Sequence, residues 1–164
     1  MTLLPVFEWI QNSAVGTSIR ESLFVFPLIE TVHVVGLAIS VGLILVTDLR
    51  LIGVVLTSDR PSDIMRQLRA WMIGGFVLMF LSGGLLFWSE AAKCYNSTAF
   101  RLKMIFLLFC GLNALLFETT LGKSIGVWDD RIVLPQRARW AGWLSLICWT
   151  GVVVCGRWTA YGLN

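Results

Sequence analysis

Four long apolar runs set what this chain can become. Residues 23–46, 70–89, 99–117 and 140–160 are interrupted by very few charges. At about 1.5 Å rise per residue, the first run covers about 36 Å as a helix, enough for a hydrocarbon core of about 30 Å. It holds two ionisable side chains before its last turn, Glu30 and His33. The second run carries no charge at all. The third has Arg101 and Lys103 near its start, where long basic side chains reach back to the headgroups. The fourth has Arg157 close to its end. Only helices or closed barrels satisfy their backbone polar groups in lipid, and runs of this length are helical. The expectation is an all-α membrane protein, a single domain over residues 1–164 folded as a bundle of four transmembrane helices.

Composition agrees. Hydrophobic residues make up 57% of the chain and charged residues 14%, against about a quarter charged in a soluble domain. A soluble enzyme of this size could not hide that much apolar surface. The formal charge of +3 is scattered, with no basic run of the kind that binds nucleic acid. Cys94, Cys110, Cys148 and Cys155 form no Cys-x-x-Cys pair, so neither a disulfide framework nor a zinc site is expected. Cys148 and Cys155 are seven apart on one helical face, a packing arrangement. The first ten residues lack a basic region and contain Glu8, so no cleavable signal peptide is expected.

Residues 5–17 are short and mixed, with Pro5 suited to a helix start and Trp9 to a headgroup boundary. They read as one N-terminal interfacial helix. Pro61-Ser62-Asp63 predicts a short helix over 62–69 that leads into the second span. Trp71, Trp88, Trp128, Trp140 and Trp158 join Trp9 as an aromatic belt, while Trp143 and Trp149 lie deeper. The connections 47–69 and 118–139 carry eight basic residues together, against five on the other side. The positive-inside rule puts these loops in the cytoplasm and both termini outside. Gly122-Lys123-Ser124 has Phe117 where a phosphate-binding loop needs glycine, which excludes a nucleotide site. Asn96-Ser97-Thr98 matches a glycosylation acceptor, a triplet common by chance. Four helices leave little room for two inverted transporter halves, so a pore or carrier would need an oligomer.

Ionisable and amide groups inside the spans are the functional candidates, because a charge there costs at least about 2.5–3.5 kcal/mol. Glu30 and His33 are three apart, on one face of the first helix. Counting from the span ends puts His33, Met79 and Asn113 at similar depth on three helices, with Glu30 one turn nearer the outside. Asp48 and Arg50 close the first span, where an exposed pair contributes little.

His33 has three readings. It is a core histidine hydrogen-bonded to Glu30, Asn113 or a backbone carbonyl. It is the metal ligand of haem b, bound axially in the bundle core. Or Glu30-x-x-His33 is half of a carboxylate–histidine metal site, which only a symmetric dimer could complete. Haem needs glycines that let a flat macrocycle approach a helix, and Gly36, Gly74, Gly75, Gly83 and Gly84 are available. The same small residues, such as Gly36/Ser40 and Ala38/Gly42, also serve close helix packing. There is one histidine in the chain. A sixth ligand would therefore be Met79, His33 of a second copy, or nothing. Glu30 or Asn113 would orient the imidazole, and Arg101, Lys103 or Arg157 would pair with the propionates.

The stretch His33-Val34-Val35-Gly36, then Gly42 and Asp48-Leu49-Arg50-Leu51-Ile52-Gly53, resembles a family of small bacterial integral-membrane proteins known only as a domain of unknown function. Phe100-Arg101-Leu102-Lys103, Asn113 and Gly156-Arg157-Trp158-Thr159-Ala160-Tyr161 fit it too, so the resemblance covers nearly the whole chain. It implies a four-helix protein of the bacterial inner membrane and names no reaction. More loosely, a histidine in such a bundle is similar to b-type cytochromes. The leading expectation is a haem-binding protein of electron transfer or haem handling, as a homo-oligomer or in a larger membrane complex. The alternatives are a non-catalytic accessory subunit and an oligomeric channel or carrier lined by Glu30, His33 and Asn113.

Overall fold

The computed structural model describes residues 2–129 and 134–161. Every regular element among them is helical. Helix α1 spans Leu4–Gln11, with Pro5 in its first turn where the missing N–H is not needed. Helix α2 spans Ala14–Glu21 and begins at a Ser13 cap, whose hydroxyl accepts from Gly16 N–H at 3.3 Å. The single helix expected over 5–17 is therefore two. The break is an elbow at Asn12–Ser13, and it is tight. A Cβ on Gly16 would lie 2.4 Å from the Gln11 carbonyl oxygen, so only glycine fits there.

Helix α3 is Val25–Ile52, and it stops at Gly53. That residue takes φ +93°, the left-handed cap open to glycine, and Val54 N–H closes back on Leu49 O at 2.9 Å. Helix α4 is Pro61–Ser89, running without interruption. The short helix expected over 62–69 is its first two turns, because no proline or glycine stands between Pro61 and Gly74 to end it. A six-residue helix α5, Ala91–Asn96, follows directly. Helix α6 is Thr98–Leu116, capped by Ser97, and continues through a π-helical turn at Phe117–Leu121 and a 3-10 segment at Gly122–Trp128. Helix α7 is Gln136–Tyr161. Four of these helices, α3, α4, α6 with its π turn, and α7, are long and apolar enough to cross a membrane.

The bundle is an open ring. Helix α3 packs along α4 and against α7, and α7 packs along α6, while α4 and α6 make no comparable approach. Glycine sets the closest crossings. A Cβ on Gly36 would sit 3.1 Å from the Met79 backbone nitrogen, and one on Gly75 would sit 3.0 Å from that of Ser40. Helices in lipid gain little from hydrophobicity alone, and such close backbone approach supplies dispersion contact instead. Ser40 is fully buried in this crossing and satisfies its hydroxyl on Gly36 O at 2.7 Å. On the other side of α3, Gly142 of α7 rides against the Asp48 carbonyl. The interior between these contacts is Met79, Cys110, Cys148, Trp149 and Val152. Leu28, Val34, Leu108 and Ile147 point outward and are largely exposed, as lipid-facing residues are.

The ends differ. Helices α1, α2 and α5 gather where α3 begins and α4 finishes. Gln11 Oε1 accepts from Ala92 N–H at 3.0 Å, and Trp88 Nε1 donates to Ser13 Oγ at 2.8 Å. At the opposite end Asp129 accepts from Ser62 N–H at 3.1 Å and from Ser62 Oγ at 2.7 Å, capping α4 from a distant segment. Arg69 and Glu118 pair nearby. Asp48 and Arg50 are not the exposed pair expected from the sequence. They are 5% and 2% exposed, and Arg50 instead donates through Nε and Nη2 to Asp59 O at 3.2 and 2.9 Å. That bond clamps the turn between α3 and α4.

Candidate functional site

The open side of the ring, between α4 and α6, holds a cavity of about 650 Å³. His33 and Leu37 of α3 form its back, and Met79, Phe80, Gly83, Gly84 and Phe87 of α4 form one side. Phe100, Lys103, Met104 and Leu107 of α6 form the other. Volume and apolar lining are those of a small-molecule or cofactor site.

His33 is held in one tautomer by its neighbours. Its Nδ1 lies 3.0 Å from Met79 O and 3.1 Å from Ser82 Oγ. A carbonyl can only accept, and the Ser82 hydroxyl already donates to Leu78 O at 2.6 Å. The hydrogen therefore sits on Nδ1 and is donated to Met79 O. Nε2 keeps its lone pair, with no partner among the described residues. Space for the ring comes from Gly83, where a Cβ would lie 3.0 Å from His33 Cε1. At neighbouring Gly84 an added Cβ would meet nothing within 4 Å. An imidazole with one N–H fixed on a carbonyl and the other nitrogen free is the form that ligates a metal.

The cavity carries positive charge at the end where α6 begins. Lys103 is half-buried beside α7 and has no acidic partner among the described residues. Arg101 donates through Nε and Nη2 to Tyr95 O at 3.2 and 2.9 Å and lies over the Tyr95 ring. Cys94 of α5 also lines the wall. Burial, with Glu90 nearby, pushes its thiol up to about 11, so it stands there as a neutral thiol. Phe7 of α1 closes this end, stacked on Tyr95 at 4.7 Å and edge-on to Phe87 at 6.1 Å. Phe7, Phe87 and Tyr95 were not legible as site residues, since their contacts join segments about 80 residues apart.

The structure brings together His33, Met79, Gly83, Gly84, Arg101 and Lys103 and leaves out Glu30, Gly36, Asn113 and Arg157. Met79 meets the imidazole through its carbonyl, while its sulfur lies 3.9 Å from Ser40 Oγ. Glu30 is exposed on α3 and does not touch the ring. Gly36 is used up in packing on α4. Arg157 turns to the Tyr161 hydroxyl at 3.1 Å. Asn113 donates to Ala141 O at 3.0 Å and lies away from His33. Its expected depth was wrong for a geometric reason. His33 is eight residues from the start of α3, about 12 Å, whereas Asn113 is fifteen from the start of α6, about 22 Å.

No cluster of three or more potential metal-ligating side chains occurs among the described residues. A single histidine facing a cavity is not such a cluster. No curated protein and no solved structure matches the chain. A family model, described as a family of unknown function, matches residues 6–162. This membrane-type four-helix chain belongs to that family, DUF6644.

Proposed function

We propose that the protein binds haem b in the cavity between α4 and α6, where His33 would ligate the iron, and serves electron transfer or haem handling. The observation that carries this reading is the position of the His33 ring in the cavity wall, its Nδ1 3.0 Å from Met79 O. Nδ1–H is directed at Met79 O, which leaves the Nε2 lone pair of a cavity-lining ring without a partner among the described residues. The remaining walls suit the same occupant. Aromatic and aliphatic faces accept an apolar macrocycle, and the Lys103 ammonium, unpaired among the described residues, suits a carboxylate at the rim. When bound, haem supplies one-electron chemistry at its iron. This chain's own part is to hold the imidazole, exclude water with Phe7, Phe87 and Phe100, and neutralise propionate charge with Lys103 and Arg101.

We further infer that the bundle belongs to the bacterial inner membrane, as a homo-oligomer or within a larger complex. Both termini and the His33 cavity face outward, on the strength of the basic loops at the opposite end. Titration of the purified protein with haem tests the reading. Wild type should give a saturable Soret band at one haem per chain, and His33→Ala should lose it. Wild-type protein without a saturable band, copurifying with a stoichiometric partner, would mark His33 as an interhelical tie in an accessory subunit instead.

A further inference from the structure

The opening between α4 and α6 does not end at the His33 cavity. A second cavity of about 320 Å³ continues along it, and Phe80 and Leu107 belong to the walls of both. Thr47 and Asn113 line the second cavity. Along α3, Thr47 is fourteen residues beyond His33, about 21 Å. The two cavities thus stand at opposite halves of the bundle, the His33 cavity in the upper half where α3 begins and the second in the lower half where α3 ends.

The lower cavity is amphipathic. Phe76, Phe117 and Trp149 present aromatic walls, and Thr47, Asn113 and Ser145 bring polar groups to the end near the α3–α4 turn. Asn113 has hydrogen-bonding capacity left over. One amide hydrogen goes to Ala141 O, and among the described residues the second has no acceptor. Side chains join α4 and α6 at the two ends of the opening, Phe87 on Phe100 and Arg69 with Glu118, and between them the helices stand apart, which leaves a sideways route from the bilayer.

We propose that the lower cavity binds the ring of a lipid-soluble quinone. Lateral entry requires a molecule dissolved in the hydrocarbon. The aromatic walls suit a flat ring, and the second amide hydrogen of Asn113 suits a ring carbonyl, which can only accept. A plain acyl chain uses the walls and leaves those polar groups unmatched in a dry site. The site is independent of whether haem occupies the upper cavity.

The probe is decylubiquinone, titrated calorimetrically into the full-length protein in nanodiscs of defined phosphatidylcholine. Wild type should bind saturably at about one per chain. Gly111 lines the cavity, and a Cβ on it meets nothing within 4 Å, so Gly111→Phe starts a bulky side chain at the cavity wall from open space. It should weaken binding about tenfold or more. Gly42→Phe, also open but outside the cavity, should leave binding unchanged. Asn113→Leu should weaken binding, and should it fail to fold, the glycine pair still decides. Absence of saturable binding by folded wild type overturns the proposal. So does unchanged binding in Gly111→Phe, or equal displacement by decanol, which would mark a slot for acyl chains only.

Discussion

Neighbouring glycines on α4 should respond oppositely to the same small change. An alanine at position 83 puts its Cβ 3.0 Å from His33 Cε1, while one at 84 meets nothing within 4 Å. Ordinary contact at that site would need several tenths of an ångström more. The ring cannot simply swing, because Nδ1 is tied to Met79 O at 3.0 Å. Displacing it stretches that bond, which is worth about 0.5–1.5 kcal/mol. Overpacking of this kind costs about 1–3 kcal/mol. Both variants also gain up to about 1 kcal/mol of helix propensity. Gly84→Ala should therefore be neutral or slightly stabilised, and Gly83→Ala should be less stable than Gly84→Ala by about 1–3 kcal/mol. Thermal unfolding of the two purified variants in one detergent measures the difference. In a haem titration, Gly83→Ala should also bind about tenfold more weakly than Gly84→Ala. Equal stability and equal haem affinity would refute the packing of His33 on Gly83.

Other consequences are as direct. Arg50→Met removes both donors to Asp59 O, bonds to a charged group worth about 1.5–3 kcal/mol each, and should raise proteolytic cleavage within residues 53–60; an unchanged cleavage pattern would contradict the clamp. Gly36→Ala brings a Cβ to 3.1 Å from the Met79 backbone and should destabilise by about 1–3 kcal/mol in thermal unfolding, while Gly42→Ala should not. Hydrogen bonds from Ser62 hold the Asp129 carboxyl below the usual carboxylate range. A lowered folded-state value means its stabilisation is complete above the ordinary pKa and is lost as pH falls through the lowered one. The stability difference between wild type and Asp129→Asn should thus be full above about pH 4 and shrink progressively as pH falls below it; a difference independent of pH would remove Asp129 as a cap.

The spans were legible because lipid imposes length and apolarity on a helix, and these signals are local. The end of α3 was legible less fully. Asp48-Leu49-Arg50 reads as a boundary, but only the fold shows Arg50 turning back on Asp59. The elbow at Ser13 was missed because Pro5 and Trp9 are helix-compatible, and the contact forbidding a side chain at Gly16 comes from the preceding helix's carbonyl. At the site, His33 stood out because an ionisable group inside a span is costly. Its orienting partner did not, since a backbone carbonyl such as that of Met79 has no signature in sequence. Glu30 looked like the partner by spacing alone, yet Gly83 and Ser82 draw the ring toward α4. Lys103 was visible as a snorkelling base, and its place beside the cavity depends on α6 standing apart from α4.

The most direct test of the central claim is the optical spectrum and iron content of protein purified from cells supplied with haem. The account predicts a reducible Soret band with about one iron per chain, and its loss or shift in His33→Ala. Colourless, iron-free wild-type protein that also fails to take up added haem would contradict it.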